Sequence, residues 1–213
     1  DGYARVKIKI KPGRDVEMLA GLRERFPDTL FMADANSAYR LKDSDRLREM
    51  DALDLTMIEQ PLRYDDFLEH ARLQERIETP VCLDESIKGE GDLALALELG
   101  SCRIVNIKPG RVGGFGVSSR IHDTMRAAGL PVWCGGMLES GVGRAHNLAL
   151  ASLPGFTLPG DISASQRYWS QDIVTPEFEV EDGVMKVPTG PGLGVELDLD
   201  WIHGLTVREA EFG

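Results

Sequence analysis

Apolar and polar positions alternate strictly at the start of the chain: Arg5-Val6-Lys7-Ile8-Lys9-Ile10 reads as a strand. The period then changes to that of a helix over about 15–25, with Met18, Leu22 and Phe26 on one face. The same exchange continues along the chain. Strands are expected at 30–33, 55–58, 80–83, 103–107, 131–134 and 157–158. Between them the spacing predicts helices carrying Leu47, Met50 and Leu53, then 67–76, then 92–99 closed by Gly100. A longer helix carries Val117, Ile121, Met125 and Ala128, and another covers 144–151.

Strands and helices that alternate with short links imply a parallel sheet with helical crossovers. The strands are apolar on both faces, as covered strands should be. Lys9, Asp34, Glu59, Asp84 and Lys108 follow one another at 25, 25, 25 and 24 residues, each at the C-terminal end of an apolar run. In a (β/α)₈ barrel that edge is the active-site face. An open doubly wound sheet is the competitor, but no glycine-rich phosphate loop follows the first strand. From about residue 175 the rhythm changes to a hairpin, 178–181 and 184–187 around Asp182-Gly183, and a Gly/Pro-rich loop. The chain therefore divides into a barrel portion, 1–174, and a C-terminal appendage, 175–213.

Composition narrows the function. With 213 residues, 42% hydrophobic and 28% charged, the chain can build a sizeable core and is not disordered. Its formal net charge of −11 argues against nucleic acid as a partner. No apolar run is long enough for a membrane span. Cys82, Cys102 and Cys134 are too few and too scattered for a disulfide scaffold, so the cytoplasm is the expected compartment. The chain begins at Asp1 without an initiator Met or a signal-like segment, and the native start is expected upstream.

Asp34, Glu59 and Asp84 are three carboxylates on successive strand ends, and acids brought together need a cation. Hard oxygen ligands favour Mg²⁺, with Mn²⁺ the alternative, over zinc. Lys7 and Lys9 point to one side of their strand, and Lys108 ends another. Two amines flanking a metal suit the movement of a proton on a carbon next to a carboxylate. A lysine base must be brought from about 10.4 toward neutrality, which a metal does and to which Arg111 adds. His70 and His122 read as surface positions on helices. Gly113-Gly114-Phe115-Gly116 reads as a tight turn, since it lacks the Gly-Lys-Ser/Thr ending of a phosphate loop. Trp133 reads as core, and Cys134 lacks a base that would make it a nucleophile.

Five motifs stand in order: Lys7-x-Lys9, Asp34-Ala35-Asn36, Ile58-Glu59-Gln60-Pro61, Leu83-Asp84-Glu85-Ser86 and Asn106-Ile107-Lys108-Pro109. Together they resemble the muconate-lactonizing-enzyme subgroup of the enolase superfamily. The run from Trp133 to Gly141, with Leu158-Pro159-Gly160-Asp161, is most similar to its o-succinylbenzoate synthase and N-acylamino acid racemase family. The resemblance covers almost the whole chain. It implies a TIM-type (β/α) barrel, a metal held by Asp34, Glu59 and Asp84, and an acid/base pair of Lys9 and Lys108. It also implies that Lys7 tunes Lys9, and that Asn36, Arg111, Gly135, Gly136, Met137, Glu139 and Asp161 lie on or behind the substrate.

The implied activity is Mg²⁺-dependent removal of the proton α to a carboxylate through an enediolate. It would serve dehydration to o-succinylbenzoate in menaquinone biosynthesis, racemisation of N-acylamino acids, or both. Dipeptide epimerisation and muconate cycloisomerisation are alternatives, and an inactive truncated fragment is another. The substrate is a small carboxylate, and the full-length form is expected to be a homo-oligomer. Members of the family resemble a barrel joined to an N-terminal α+β capping domain. This chain is expected to lack that domain and the first strand–helix unit, and to hold strands two to eight.

Overall fold

The six apolar runs between residues 5 and 134 all become strands. The computed structural model describes residues 2–211; Asp1, Phe212 and Gly213, the last two in the expected appendage, lie outside the described residues. β1 (Val6–Lys9), β2 (Phe31–Asp34), β3 (Leu55–Glu59), β4 (Val81–Leu83), β5 (Ile104–Ile107) and β6 (Val132–Cys134) form one sheet in chain order. Every pairing is parallel, with Lys9 opposite Asp34 and Asp34 opposite Glu59. The sheet is a curled portion of a barrel, and among the described residues β1 and β6 do not pair with each other.

The crossovers run through α1 (Val16–Arg25), α2 (Ser44–Arg48), α3 (Phe67–Gln74), α4 (Glu90–Leu99), the short α5 (Pro109–Val112) and α6 (Phe115–Ala127). Asp15 starts α1 by accepting from the Val16 amide at 2.8 Å, and is itself held by the Tyr39 hydroxyl at 2.9 Å. Gly100 ends α4 in the left-handed conformation at φ 70°, which a side chain would resist. The glycines at 113 and 114 make the turn between α5 and α6.

Strand alternation sorts the apolar residues into two cores. One lies between sheet and helices and includes Phe31, Ile58, Leu83, Val105 and Val132. The other lines the inside of the curl, where Met32, Met57, Cys82, Ile104 and Trp133 come from five successive strands. Two residues further along each of those strands, on the same inner face, stand Asp34, Glu59, Asp84, Asn106 and Gly135. The inner core thus supports the polar layer above it.

Four expectations need correction. The strand at 157–158 does not form; Pro159 has no amide to give, and the chain makes a single parallel bridge between Gly135 and Asp161 instead. The expected helix at 144–151 begins earlier, as α7 (Gly141–Ala151), because Asp172 accepts from the Gly141 amide at 2.7 Å. A cap from so far along the chain leaves no local pattern.

The expected hairpin is reduced to its turn, a bridge between Glu181 and Val184. The antiparallel pair in the appendage is β7 (Val174–Thr175) with β8 (Glu196–Leu197), followed by α8 (Leu199–Leu205). Phe178 is buried against Ala145, Leu148 and Val174, while Glu179 and Glu181 leave the other side of the run without a covering layer.

His70 and His122 are buried, not on the surface. His70 donates from Nδ1 to the Asp66 carbonyl at 2.6 Å and accepts at Nε2 from the Leu62 amide at 3.2 Å. Burial pushes its pKa down, which suits that neutral, two-ended role. His122 stacks on Phe156 and accepts from the Gly155 amide at 3.1 Å. Both rings stabilise loop backbone that would otherwise be unpaired.

Candidate active site

The C-terminal ends of the strands gather charge. Lys9, at the end of β1, donates to Asp34 Oδ2 and to Asn36 Oδ1, each at 2.6 Å. Lys108, just past β5, donates to Asp84 Oδ2 at 2.8 Å. The two lysines therefore stand on opposite flanks, with the strands of Asp34, Glu59 and Asp84 between them. Arg111 pairs with Asp84 Oδ1 and also grips the backbone at Ile87 and Asn106, at 2.7 and 2.6 Å. Lys7 lies below Lys9, over the Trp133 ring, with Nζ 3.7 Å from Asp34, 3.8 Å from Glu59 and 2.5 Å from Asp161.

Gly135 and Gly136 bring backbone close to this group. A Cβ on Gly135 would fall 2.3 Å from Asn106 Oδ1 and 2.7 Å from Lys108 Cε, so any side chain there displaces the lysine. A Cβ on Gly136 would fall 2.1 Å from the Asp161 carbonyl. Beyond them the Glu139 carboxylate accepts from the Met137 amide and from Asn147, while Met137 is exposed. A cavity of about 580 Å³ lies beside Arg111, between Phe115, Met137, Glu139 and His146.

As placed, each carboxylate carries a protein cation or donor. Among the described residues no group of three Asp, Glu, His or Cys side chains stands close enough to hold a metal ion. The donor chemistry fits a hard cation nonetheless. Glu59 is fully buried, and its Oε2 has no hydrogen-bond partner, which is costly for an acid. Burial, and after it the charge of Asp34, push the Glu59 carboxyl up to about 8. A divalent ion beside that oxygen would satisfy it and restore the carboxylate. The cysteines offer no competing soft ligand: burial pushes Cys134 up to about 12 and Cys82 well above the ordinary thiol range.

Residues 1–201 match the family described as enolase C-terminal domain-like. The chain belongs to that family. It is 58% identical over 197 residues to an o-succinylbenzoate synthase of Geobacillus stearothermophilus, covering 92% of this chain and 52% of the relative. It is 54% identical over 207 residues to an N-succinylamino acid racemase of Thermus thermophilus, covering 97% of this chain and 56% of the relative. A crystal structure of an enolase superfamily member from Listeria innocua superposes with a TM-score of 0.92 at 50% identity, over 95% of this chain and 55% of that one. The chain thus spans about half the length of the curated relatives it matches.

Three residues of this candidate site stand in the sequence motifs but were given no role there. Asn106 donates to Glu59 Oε1 at 2.7 Å. Its signal was available, because it stands two residues before Lys108 on the inner face of β5. Glu85 accepts from Asn36 Nδ2 at 3.0 Å, and so backs the amide that holds Lys9. Gln60 adopts a positive φ of 41° right after Glu59. Its Oε1 accepts from the amides of Asp84 and Ser86 at 3.0 and 3.2 Å. Its Nε2 donates to Ser86 Oγ at 2.8 Å and to the Leu62 carbonyl at 3.3 Å. Neither role follows from residue type or spacing.

Proposed function

We propose that this chain carries the catalytic face of an enzyme that removes the proton α to a carboxylate of a small substrate. The activity is o-succinylbenzoate synthesis, N-succinylamino acid racemisation, or both. The observation that supports it best is the placement of Lys9 and Lys108 on opposite flanks of the acid-bearing strands, each anchored to an acid. Asp34, Glu59 and Asp84 would hold one Mg²⁺ or Mn²⁺. Such an ion supplies Lewis-acid stabilisation of negative charge developing on a carboxylate.

Lys9 and Lys108 approach a carbon held between them from opposite faces, and each can take or return a proton at its Nζ. Asn36, backed by Glu85, orients Lys9, and Arg111 fixes Asp84 as the partner of Lys108. Gly135 leaves the room that Lys108 and Asn106 occupy, and Gly136 leaves the room of the Asp161 carbonyl. In this division residues 1–174 hold the chemistry and 175–213 brace α7. No helix among the described residues is long and apolar enough to cross a membrane.

Proton exchange tests the proposal directly. The chain is incubated in D₂O with Mg²⁺ and an N-succinylamino acid, and the α-proton signal is followed by NMR. Its loss, abolished by a chelator, is expected. No exchange with either enantiomer, and no o-succinylbenzoate formed in a parallel incubation with its hydrated precursor, would overturn it.

A further inference from the structure

The gap between β1 and the segment after β6 is crossed by side chains. Arg5 stacks on Trp133, with its guanidinium carbon 4.5 Å from the ring centroid, and donates to the Pro159 carbonyl at 2.6 Å. Two residues further along, on the same face, Lys7 meets Asp161 at 2.5 Å. Asp161 is placed by backbone: its amide donates to the Cys134 carbonyl at 2.9 Å, and Gly136 packs against its own carbonyl. Lys7 has the longer side chain, and three carboxylates compete for it. The distances show the outcome, since its ammonium is bonded to Asp161 but stands 3.7 and 3.8 Å from Asp34 and Glu59.

We propose that Asp161 is a positioning residue that draws the Lys7 ammonium aside from Asp34 and Glu59, and so sets how tightly a divalent cation binds those acids. This rests on the reading of Asp34, Glu59 and Asp84 as metal ligands. An ammonium this close to two ligands repels an incoming dication, and the repulsion grows as the separation shortens. Asp161 opposes that approach from the far side. The orphaned Glu59 Oε2 is the group with most to gain, because Lys7 is near it but does not bond to it.

The test is a thermodynamic cycle read by calorimetric titration with Mn²⁺ and with Mg²⁺, independent of turnover. Lys7→Met keeps the side-chain length and removes the charge; it should tighten binding on the order of tenfold. Asp161→Asn should loosen binding by about fivefold in the wild-type background. In the Lys7→Met background the same change should alter affinity by less than about twofold, since the ammonium it controls is gone. Equal loosening in both backgrounds would mean that Asp161 acts on the ion directly, and would overturn the proposal. If Asp161→Asn does not fold, Lys7→Met still decides, because unchanged or weaker binding there defeats the idea. Wild-type protein that binds neither ion refutes the metal reading and this proposal with it. Wild-type binding that ignores both substitutions refutes this proposal alone.

Discussion

Asn106 and Glu59 share one hydrogen bond, 2.7 Å from Nδ2 to Oε1, and each is left with an oxygen that has no partner: Asn106 Oδ1 and Glu59 Oε2. The amide thus stabilises one half of a buried acid and leaves the other half facing Lys7. Glu59 can neither be neutralised by Asn106 nor released to solvent. Among the described residues it is the carboxylate of the three that makes no hydrogen bond to a cation.

The first prediction concerns that bond. Asn106→Leu removes the donor and leaves both oxygens of Glu59 without one. Stability in the absence of metal should fall by about 1–3 kcal/mol, measured by urea unfolding. Added Mg²⁺ should recover part of the loss, because a ligand that binds only the folded chain shifts the equilibrium. A variant as stable as wild type would show that Glu59 does not depend on this amide.

A second prediction concerns the lysine pair. Lys9→Ala and Lys108→Ala should each abolish racemisation, which needs one group to remove the proton and another to return it. Exchange of the α-proton with D₂O should survive for one substrate enantiomer in each variant, and for opposite enantiomers in the two. NMR with separate enantiomers reads this. Exchange of the same enantiomer by both variants would refute the two-face assignment. A syn dehydration needs one base only, so the two variants should lose o-succinylbenzoate formation unequally, with the other lysine acting as fixed charge.

The third prediction concerns the buried ion pair at the start of α7. Arg144 and Asp172 form a fully buried pair at 3.0 Å, joined by Ser165, and Asp172 also caps α7. Burial raises the Asp172 carboxyl, but hydrogen bonds from Ser165 and the amides of Gly141 and Ile173, with the Arg144 charge, outweigh it and hold it below the ordinary range. A carboxyl depressed in the folded chain contributes stability above its unfolded pKa of about 3.9, and loses it as pH falls through the lower folded value. Asp172→Ala should cost about 3–5 kcal/mol at neutral pH, because Arg144 is left buried and unpaired. It should also flatten the decline in stability below about pH 4. Thermal unfolding of both proteins across that range checks the two effects together.

The strands and the charged layer were legible because both follow from period. Six apolar runs became six parallel strands, and the 25-residue step placed Lys9, Asp34, Glu59 and Asp84 on one edge. What was not legible depends on contacts between distant segments. The start of α7 is set by Asp172, and the burial of His70 by the amide of Leu62. Polar neighbours in sequence suggested an exposed His70, but a helix turns its faces independently of what flanks a residue along the chain. Asn106 was an omission of a different kind. Its position on β5 follows from the same alternation that picked out Lys7 and Lys9, and it opens the fifth motif, but a neutral amide gave no sign that it would hold a buried acid.

Gln60 ties the ends of two strands to one another with a single neutral amide, and does so at the height of Glu59 and Asp84. The interval between those two acids is therefore gauged at the strand ends, as in a jig, by an amide that also stands 3.5 Å from His70 of α3. One neutral side chain thereby sets the spacing of two acids and meets the helix packed behind them.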